Sequence, residues 1–408
     1  MRIIVQKFGG TSVATAERRA QVTSRVQHAL DEGYTPVVVV SAMGRAGDPY
    51  ATDTFIQMAT SIYKETNPRE MDMLIGCGEL ISAVIMTNTL LAQGVPAVAF
   101  TGGQAGIVVD KNFGNASILR VNPEHMIQEM KEGKVPVVAG FQGWTEAGEI
   151  ATLGRGGSDT SAAALGAALR AEVVEIYTDV DGIKTADPRI VPEARTIDVT
   201  TYDEIVQMAH QGAKVIHPRA VEIAMRRGVP LRVKSTFDES PGTLVTYSIE
   251  ATAAFPEVRL DRIITGVTHI PAMARVVVAT PDQEDEADLE VEIFRSLADA
   301  GISVDLINVS PEQKSFAIPE RLADRAERVL TSLGLKPKIQ RGCAKVSVVG
   351  TGMRGVPGVM ANVVEALRGA GVKILQTADS HITISCLVRT EDMERAVRAL
   401  HQQFELNR

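Results

Sequence analysis

Ile3-Ile4-Val5-Gln6-Lys7-Phe8 runs straight into Gly9-Gly10-Thr11-Ser12. A short, nearly continuous apolar run suits a strand buried on both faces, and such strands belong to parallel sheets. Glycines directly after the strand let backbone N–H groups approach an anion, and a following helix N-terminus adds partial positive charge. Lys7 at the strand end can reach a phosphate. The glycine pair alone is equally a plain tight turn; the lysine and the Thr-Ser pair favour an anion site.

Further apolar runs follow at 37–40, Ala97–Phe100, Val135–Ala139, 173–177 and 231–233. Helical patterns lie between several of them, at 16–30, 69–91, 160–169 and 202–225. This alternation predicts an α/β three-layer sandwich around a mostly parallel sheet, with right-handed connections. The tail differs because it repeats. Arg275-Val276-Val277-Val278-Ala279 returns as Lys345-Val346-Ser347-Val348-Val349, and Ala300-Gly301-Ile302 as Ala370-Gly371-Val372, 70 residues later. A strand (315–318, 382–387) and a helix (321–333, 391–404) follow in each copy. Each copy reads β-α-β-β-α, a ferredoxin-like pattern, and the two should pack together. The junction falls within 236–261, marked by Pro241-Gly242 and Phe255-Pro256. The expected division is a domain at 1–245, a linker at 246–262 and repeats at 263–337 and 338–408.

Composition narrows the function classes. A chain of 408 residues with 45% apolar and 23% charged residues can bury a large core, which excludes disorder for most of it. A net charge of −8 argues against a general nucleic-acid binder. No apolar run approaches about 18 residues, so no membrane span is expected. The N-terminus lacks the long apolar stretch of a secretory signal. Cys77, Cys343 and Cys386 are few and widely spaced. They suggest neither a disulfide framework nor a zinc site, and a cytoplasmic location is expected.

Several motifs could carry chemistry. Leu153-Gly154-Arg155-Gly156-Gly157-Ser158-Asp159-Thr160-Ser161 leads into an Ala-rich helix. Ser158 or Asp159 can cap it, and Arg155 can grip a carboxylate with a bidentate fork. The bland alternative is a flexible loop with a solvated arginine. Tyr177-Thr178-Asp179-Val180-Asp181-Gly182 ends another apolar run. It fails the calcium-loop spacing and reads as a nucleotide-contacting loop at a strand end or as an ordinary turn. Gly212-Ala213-Lys214-Val215-Ile216-His217-Pro218 offers one more lysine, weak by itself, and His217 reads as structural. Gly350-Thr351-Gly352-Met353-Arg354-Gly355 imitates a dinucleotide fingerprint but lies inside the second repeat, and the first repeat has no glycine there. No P-loop signature occurs.

Through Lys7-Phe8-Gly9-Gly10-Thr11-Ser12, the 153–161 loop and the 177–189 segment, the chain resembles the aspartate kinases of the amino-acid kinase family. The similarity spans essentially its whole length, and the tail resembles the family's paired ACT domains. The resemblance implies that Lys7, Phe8, Gly9 and Gly10 hold ATP phosphates. It implies that Thr178, Asp179, Arg189 and Lys214 contact the nucleotide. Ser41, Thr52, Glu79, Phe141, Arg155, Gly156, Gly157 and Ser158 would line the aspartate site, Arg155 taking the α-carboxylate and Glu79 the α-ammonium. Asp159 would organise Lys7, and the pair is the implied catalytic core. No metal ligand is assigned. The stretch from Ser41 to Asp53 resembles the Gram-positive subgroup associated with diaminopimelate control.

The implied reaction moves the γ-phosphoryl group of MgATP onto the β-carboxylate of L-aspartate. A carboxylate is already ionised at pH 7, so positioning and charge cancellation suffice and no general base is required. The resemblance also implies a homo-oligomer inhibited by an amino acid. Meso-diaminopimelate is favoured, and lysine or threonine come next. The first repeat departs from its relatives: its loop reads Thr280-Pro281-Asp282-Gln283-Glu284-Asp285-Glu286, and Ile307 precedes Asn308. Effector binding by the usual first-copy residues is therefore not expected, whereas the second repeat keeps Gly355-Val356-Pro357-Gly358. Competing readings are another amino-acid kinase, such as a glutamate or uridylate kinase, and a non-catalytic amino-acid sensor. A fused homoserine dehydrogenase is not expected, since no chain remains after the second repeat.

Overall fold

Strand β1 (Ile3–Phe8) has a neighbour on each side in a parallel sheet, which explains its unbroken apolar character. The computed structural model describes residues 1–213, 215–247, 262–279 and 286–408, which divide into two units. The first unit takes Met1–Ile183, Thr196–Ala209 and the described part of 214–260. The second takes Lys184–Arg195, His210–Ala213 and the described part of 261–408.

In the first unit, β1 leads to α1 (Gly10–Val13), α2 (Ala16–Asp31), β2 (Thr35–Val40), α3 (Thr52–Ile62), α4 (Pro68–Ala92) and β3 (Ala97–Phe100). A second sheet begins with β4 (Ile107–Val109) and β5 (Ile118–Val121). Then come α5 (Glu124–Lys131), β6 (Val135–Ala139), β7 (Gln142–Thr145), β8 (Ile150–Thr152), α6 (Gly157–Leu169) and β9 (Val173–Thr178). The unit ends with β10 (Val199–Thr201), α7 (Tyr202–His210), α8 (Pro218–Arg227), β11 (Leu231–Ser235) and β12 (Thr243–Thr246). The main sheet has eight strands in the order β10-β12-β11-β9-β1-β2-β6-β3, and β4, β5, β7 and β8 form the smaller sheet. Within the main sheet only the β11–β12 pair is antiparallel.

Helices cover both faces of the main sheet. Val22 and Val26 of α2 and Ala83, Met86 and Leu90 of α4 share one core with Phe8, Val38, Val40 and Val137. On the other face α6 approaches β9 so closely that a Cβ on Gly166 would stand 2.2 Å from Val174 Cγ2. Each fully buried valine contributes about 1.5–3 kcal/mol relative to exposure. The three-layer α/β sandwich is thus present.

Helix α4 is long and apolar enough to cross a membrane by length and composition, although the sequence shows no uninterrupted apolar run of that length. It is a core helix: half of its apolar window is buried, and two acids sit inside the fold. Asp72 is 1% exposed. Its Oδ2 accepts from the N–H groups of Gly114 and Thr152, both at 2.8 Å, and its Oδ1 accepts from Thr152 Oγ1 at 2.7 Å. Asp72→Ala would strand three donors in the interior, so a loss of about 3 kcal/mol is expected in urea unfolding. A loss too small to move the midpoint would show that these bonds do not brace α4.

Three expectations change. The helical pattern at 202–225 is two helices, because Gly212 adopts φ +115° and Pro218 starts α8. The junction read at 236–261 contains β12, a strand of the main sheet, and its residues 248–261 lie outside the described ones. The segments Lys184–Arg195 and His210–Ala213 belong to the second unit.

That unit contains β13 (Gly266–Ala279), α9 (Glu286–Asp299), β14 (Asp305–Val309), β15 (Gln313–Pro319) and α10 (Ala323–Ser332). The pattern repeats in β16 (Lys338–Val349), α11 (Val359–Gly369), β17 (Gln376–Asp379), β18 (Thr383–Arg389) and α12 (Met393–Gln403). All six strands form one antiparallel sheet, β14-β15-β13-β16-β18-β17. The sequence separates the copies at 337/338, but the long strands interleave. The front of β13 packs Val267 into the core with Val346, Val348 and Val363, whereas its rear packs Val276 and Val278 with Ile293 and Phe316. β16 in turn runs beside the whole length of β13, from Lys338 opposite Val277 to Val349 opposite Gly266. The second core also takes Ala186, Ile190, Val191 and Ala194. Thr185 Oγ1 lies 2.9 Å from His401 Nε2, and Arg398 Nε donates to the Ile190 carbonyl at 2.9 Å. The apparent dinucleotide glycines have a packing cause: a Cβ on Gly350 would meet Ile263 O at 2.3 Å, and one on Gly352 would meet Arg262 O at 2.4 Å. The 280–285 loop of the first repeat lies outside the described residues.

Candidate active site

Register brings the chemistry together. Phe8 lies opposite Val40 on one side and Tyr177 on the other, so β1, β2 and β9 end level. The loops that follow them gather at the carboxyl edge of a parallel sheet, where ligands bind in open α/β folds. Phe8 and Tyr177 stack at 4.7 Å between ring centres and brace this edge. The Gly9 N–H reaches the Tyr177 carbonyl at 3.4 Å. Gly10 must be glycine, since a Cβ there would stand 2.4 Å from Ala42 O and 2.7 Å from Gly44 O.

Lys7 and Asp159, far apart in sequence, form an ion pair of 2.7 Å with side chains 12% and 13% exposed. Asp159 lies in the first turn of α6, where the helix dipole favours negative charge. The cap of α6 is Gly156, at φ +71° and without a side-chain cap bond. Ser158 and Asp159, expected as caps, lie one and two residues inside the helix start. A side chain at Gly156 would strike His217 Cγ at 2.2 Å. His217 itself caps α8, its Nδ1 accepting from Arg219 N at 3.4 Å.

Glu79 comes from the middle of α4 and is 3% exposed. Its Oε1 accepts from the Ala42 N–H at 3.1 Å, while Oε2 is buried with no hydrogen-bond partner among the described residues. Burial pushes its carboxyl up to about 8, with the Ala42 N–H opposing the shift. Ala42 therefore links Glu79 to the glycine turn, because its carbonyl is the atom that crowds Gly10.

The remaining residues fall as follows. The Ser41 N–H donates to Phe8 O at 3.1 Å, and Thr52, half-buried, opens α3. Phe141 holds φ +67°, a costly conformation for an aromatic residue, fixed by its N–H to Ser161 Oγ at 3.0 Å and its carbonyl to Leu153 N at 2.8 Å. Gly157 packs beneath it, since a Cβ there would meet Phe141 Cδ2 at 2.6 Å. Ser158 is buried near Gly140, and Arg155 is exposed with no ion pair to a described residue. Thr178 Oγ1 donates to Asp179 Oδ1 at 3.2 Å, and Asp179 Oδ2 pairs with Arg45 Nη2 at 2.6 Å. Arg45 is a residue the motifs did not mark. Arg189, which belongs to the second unit, is 87% exposed and paired with Asp187 at 2.7 Å. Lys214 lies outside the described residues.

A glycine turn, a lysine–aspartate pair and a helix N-terminus without a side-chain cap, at a parallel-sheet edge, suit phosphoryl transfer of the amino-acid kinase type. Residues 2–235 match the amino acid kinase family, and residues 338–402 match the ACT domain. Aspartokinase 1 of Bacillus subtilis (strain 168) is 48% identical over 408 residues, covering all of both chains. The crystal structure of E. coli aspartokinase III in complex with aspartate and ADP (R-state) superposes with a TM-score of 0.77 at 27% identity, covering 98% of this chain and 99% of that one. The same enzyme in complex with lysine and aspartate (T-state) also gives 0.77 at 27% identity, covering 99% of this chain and all of that one. The chain belongs to the aspartokinases of the amino acid kinase family, which are ATP-dependent aspartate kinases.

Proposed function

We propose that the enzyme transfers the γ-phosphoryl group of ATP to the β-carboxylate of L-aspartate, giving 4-phospho-L-aspartate and ADP. This is the entry step towards lysine and diaminopimelate, threonine and methionine. The observation that carries the substrate assignment is the buried Oε2 of Glu79, which has no hydrogen-bond partner among the described residues and suits the α-ammonium of an amino acid. Arg155 takes the α-carboxylate, and Ser41, Thr52, Phe141, Gly156, Gly157 and Ser158 complete that site. Lys7, Phe8, Gly9 and Gly10 hold the phosphates, and Asp159 aims Lys7. Thr178, Asp179, Arg189 and Lys214 serve the nucleotide.

Because the acceptor is already an anion, the work of the site is to bring two anions together. Lys7 and the α6 N-terminus supply the opposing charge. Among the described residues no group of three or more histidines, cysteines or acids gathers as a metal cage. Magnesium carried on the ATP phosphates keeps several waters and phosphate oxygens as ligands and asks few of the protein. Bound there, it would neutralise part of the phosphate charge.

A coupled ADP-release assay tests the assignment: turnover should require L-aspartate, and L-glutamate should not replace it. Equal rates with glutamate would overturn it. Glu79 adds a pH signature. With its carboxyl near 8, most of the free enzyme is protonated there at pH 7 and must lose that proton to receive an ammonium. The KM for aspartate should fall about tenfold per pH unit below that value and level off above it. Glu79→Gln should flatten this profile. The raised carboxyl also means that ligand-free stability is fullest below the ordinary value of 4.5 and declines as pH rises through about 8. Glu79→Gln should remove that decline, and a profile unchanged by the substitution would exclude Glu79.

The E. coli neighbour bound to lysine supports amino-acid feedback here. We assign the effector to the repeats of the second unit, with meso-diaminopimelate favoured and lysine or threonine next, in a cytoplasmic homo-oligomer. Calorimetry on the full-length protein with the three amino acids discriminates among them.

A further inference from the structure

The turn that presents Arg155 has a left-handed glycine on either side of it, Gly154 at φ +72° and Gly156 at φ +71°. Glycine backbone is permissive, so such a turn keeps one shape only when its surroundings hold it. Asn115 and His217 confine it from outside. A Cβ on Gly154 would stand 2.8 Å from Asn115 Oδ1, and one on Gly156 would strike the His217 ring. A third neighbour, Arg219, grips the root of the turn by hydrogen bonds.

Arg219 follows the His217 cap and Pro218 at the start of α8 and is half-buried. Its Nη1 donates to the Leu153 carbonyl at 3.1 Å and its Nη2 to the Ala116 carbonyl at 2.8 Å. One planar fork therefore ties the β8–α6 turn to the β4–β5 connection. That connection is a firm support. The Gly114 N–H donates to the buried Asp72, and the Ala116 N–H donates to the Thr152 carbonyl at 2.8 Å. Leu153 is buried, whereas Arg155, two residues on, is exposed. The guanidinium thus holds the chain where it leaves the interior, which sets the direction in which Arg155 projects. A lysine could hold one of the two carbonyls at a time, but not both.

We propose that Arg219 is a positioning residue for aspartate binding: by clamping the Leu153 and Ala116 carbonyls it sets where the 154–156 turn places Arg155. This rests on the carboxylate role proposed for Arg155. Steady-state kinetics of the full-length enzyme test it, with Arg219→Ala and Arg219→Lys made in the wild-type and in the Arg155→Ala backgrounds. In the wild type, the KM for aspartate should rise about tenfold for Arg219→Ala and about fivefold for Arg219→Lys, while kcat and the KM for ATP stay within about twofold. In the Arg155→Ala background either substitution should add less than about twofold, because no guanidinium remains to be placed. A residue that only stabilised the fold would instead multiply the two effects and weaken ATP as well. Arg219→Lys keeps the stem and the charge, so it reads the fork even where Arg219→Ala is too unstable to assay. A wild-type KM for aspartate in Arg155→Ala itself would remove the carboxylate role, and this one with it. With that KM raised, the positioning role alone is overturned if the Arg219 variants keep the wild-type KM for aspartate, or if their effect is multiplied in full in the Arg155→Ala background.

Discussion

Lys7→Ala is expected to fold and to lose about 100-fold or more in kcat, the scale of removing one preorganised charge from a transition state. Folding should survive because the strand is held by its neighbours: Val5 and Phe8 are fully buried and remain in place. The loss should be large for two reasons. The transferring phosphoryl group loses its cation, and Asp159, until then paired at 2.7 Å, is left as an uncompensated anion beside the phosphates. Attraction is replaced by repulsion. Steady-state rates at saturating ATP and aspartate are the measurement. Near wild-type turnover would remove Lys7 from the catalytic core.

Arg155→Ala is expected to raise the KM for aspartate roughly 10- to 100-fold, the equivalent of one charge-assisted hydrogen-bonded pair. The KM for ATP should change little. The side chain is exposed and makes no ion pair with a described residue, so its removal carries no folding penalty that could mimic the effect. Arg155→Lys should not restore affinity, because an ammonium cannot reproduce the planar fork. Equal weakening of both substrates would instead assign the residue to the shape of the 154–156 turn.

The central strands were legible because burial on both faces leaves an unbroken apolar signature, as in Val37-Val38-Val39-Val40. The smaller sheet was not. Its strands have three or four residues and mixed exposure, as in Ile118–Val121, too short to establish a period. The break between α7 and α8 was written in Gly212 and Pro218 but was overridden by an apolar pattern that continues across it. Glu79 had no local signal of its own: a carboxyl in an apolar helix reads as a solvated residue until the fold buries it. Lys7 was visible at its strand end, yet its pairing with Asp159 depends on how α6 crosses the sheet, which no spacing encodes. Segment Lys184–Arg195 was grouped with the first domain by its place in the sequence. It follows a nucleotide-type loop in sequence but carries Ile190 and Val191 into the core of another unit.

The shared strands of the second unit also bear on how this architecture can change over generations. A repeat usually behaves as a cassette that can be duplicated, lost or exchanged whole. Here each copy lends a length of strand to the other: β13 places Val267 in one core and Val276 in the next, and β16 packs Ile339 against the core of the first copy. Excising either copy at its sequence boundary would leave the survivor short of a sheet edge and open to non-specific pairing. Loss or exchange of one copy alone is therefore opposed by the sheet that the two share.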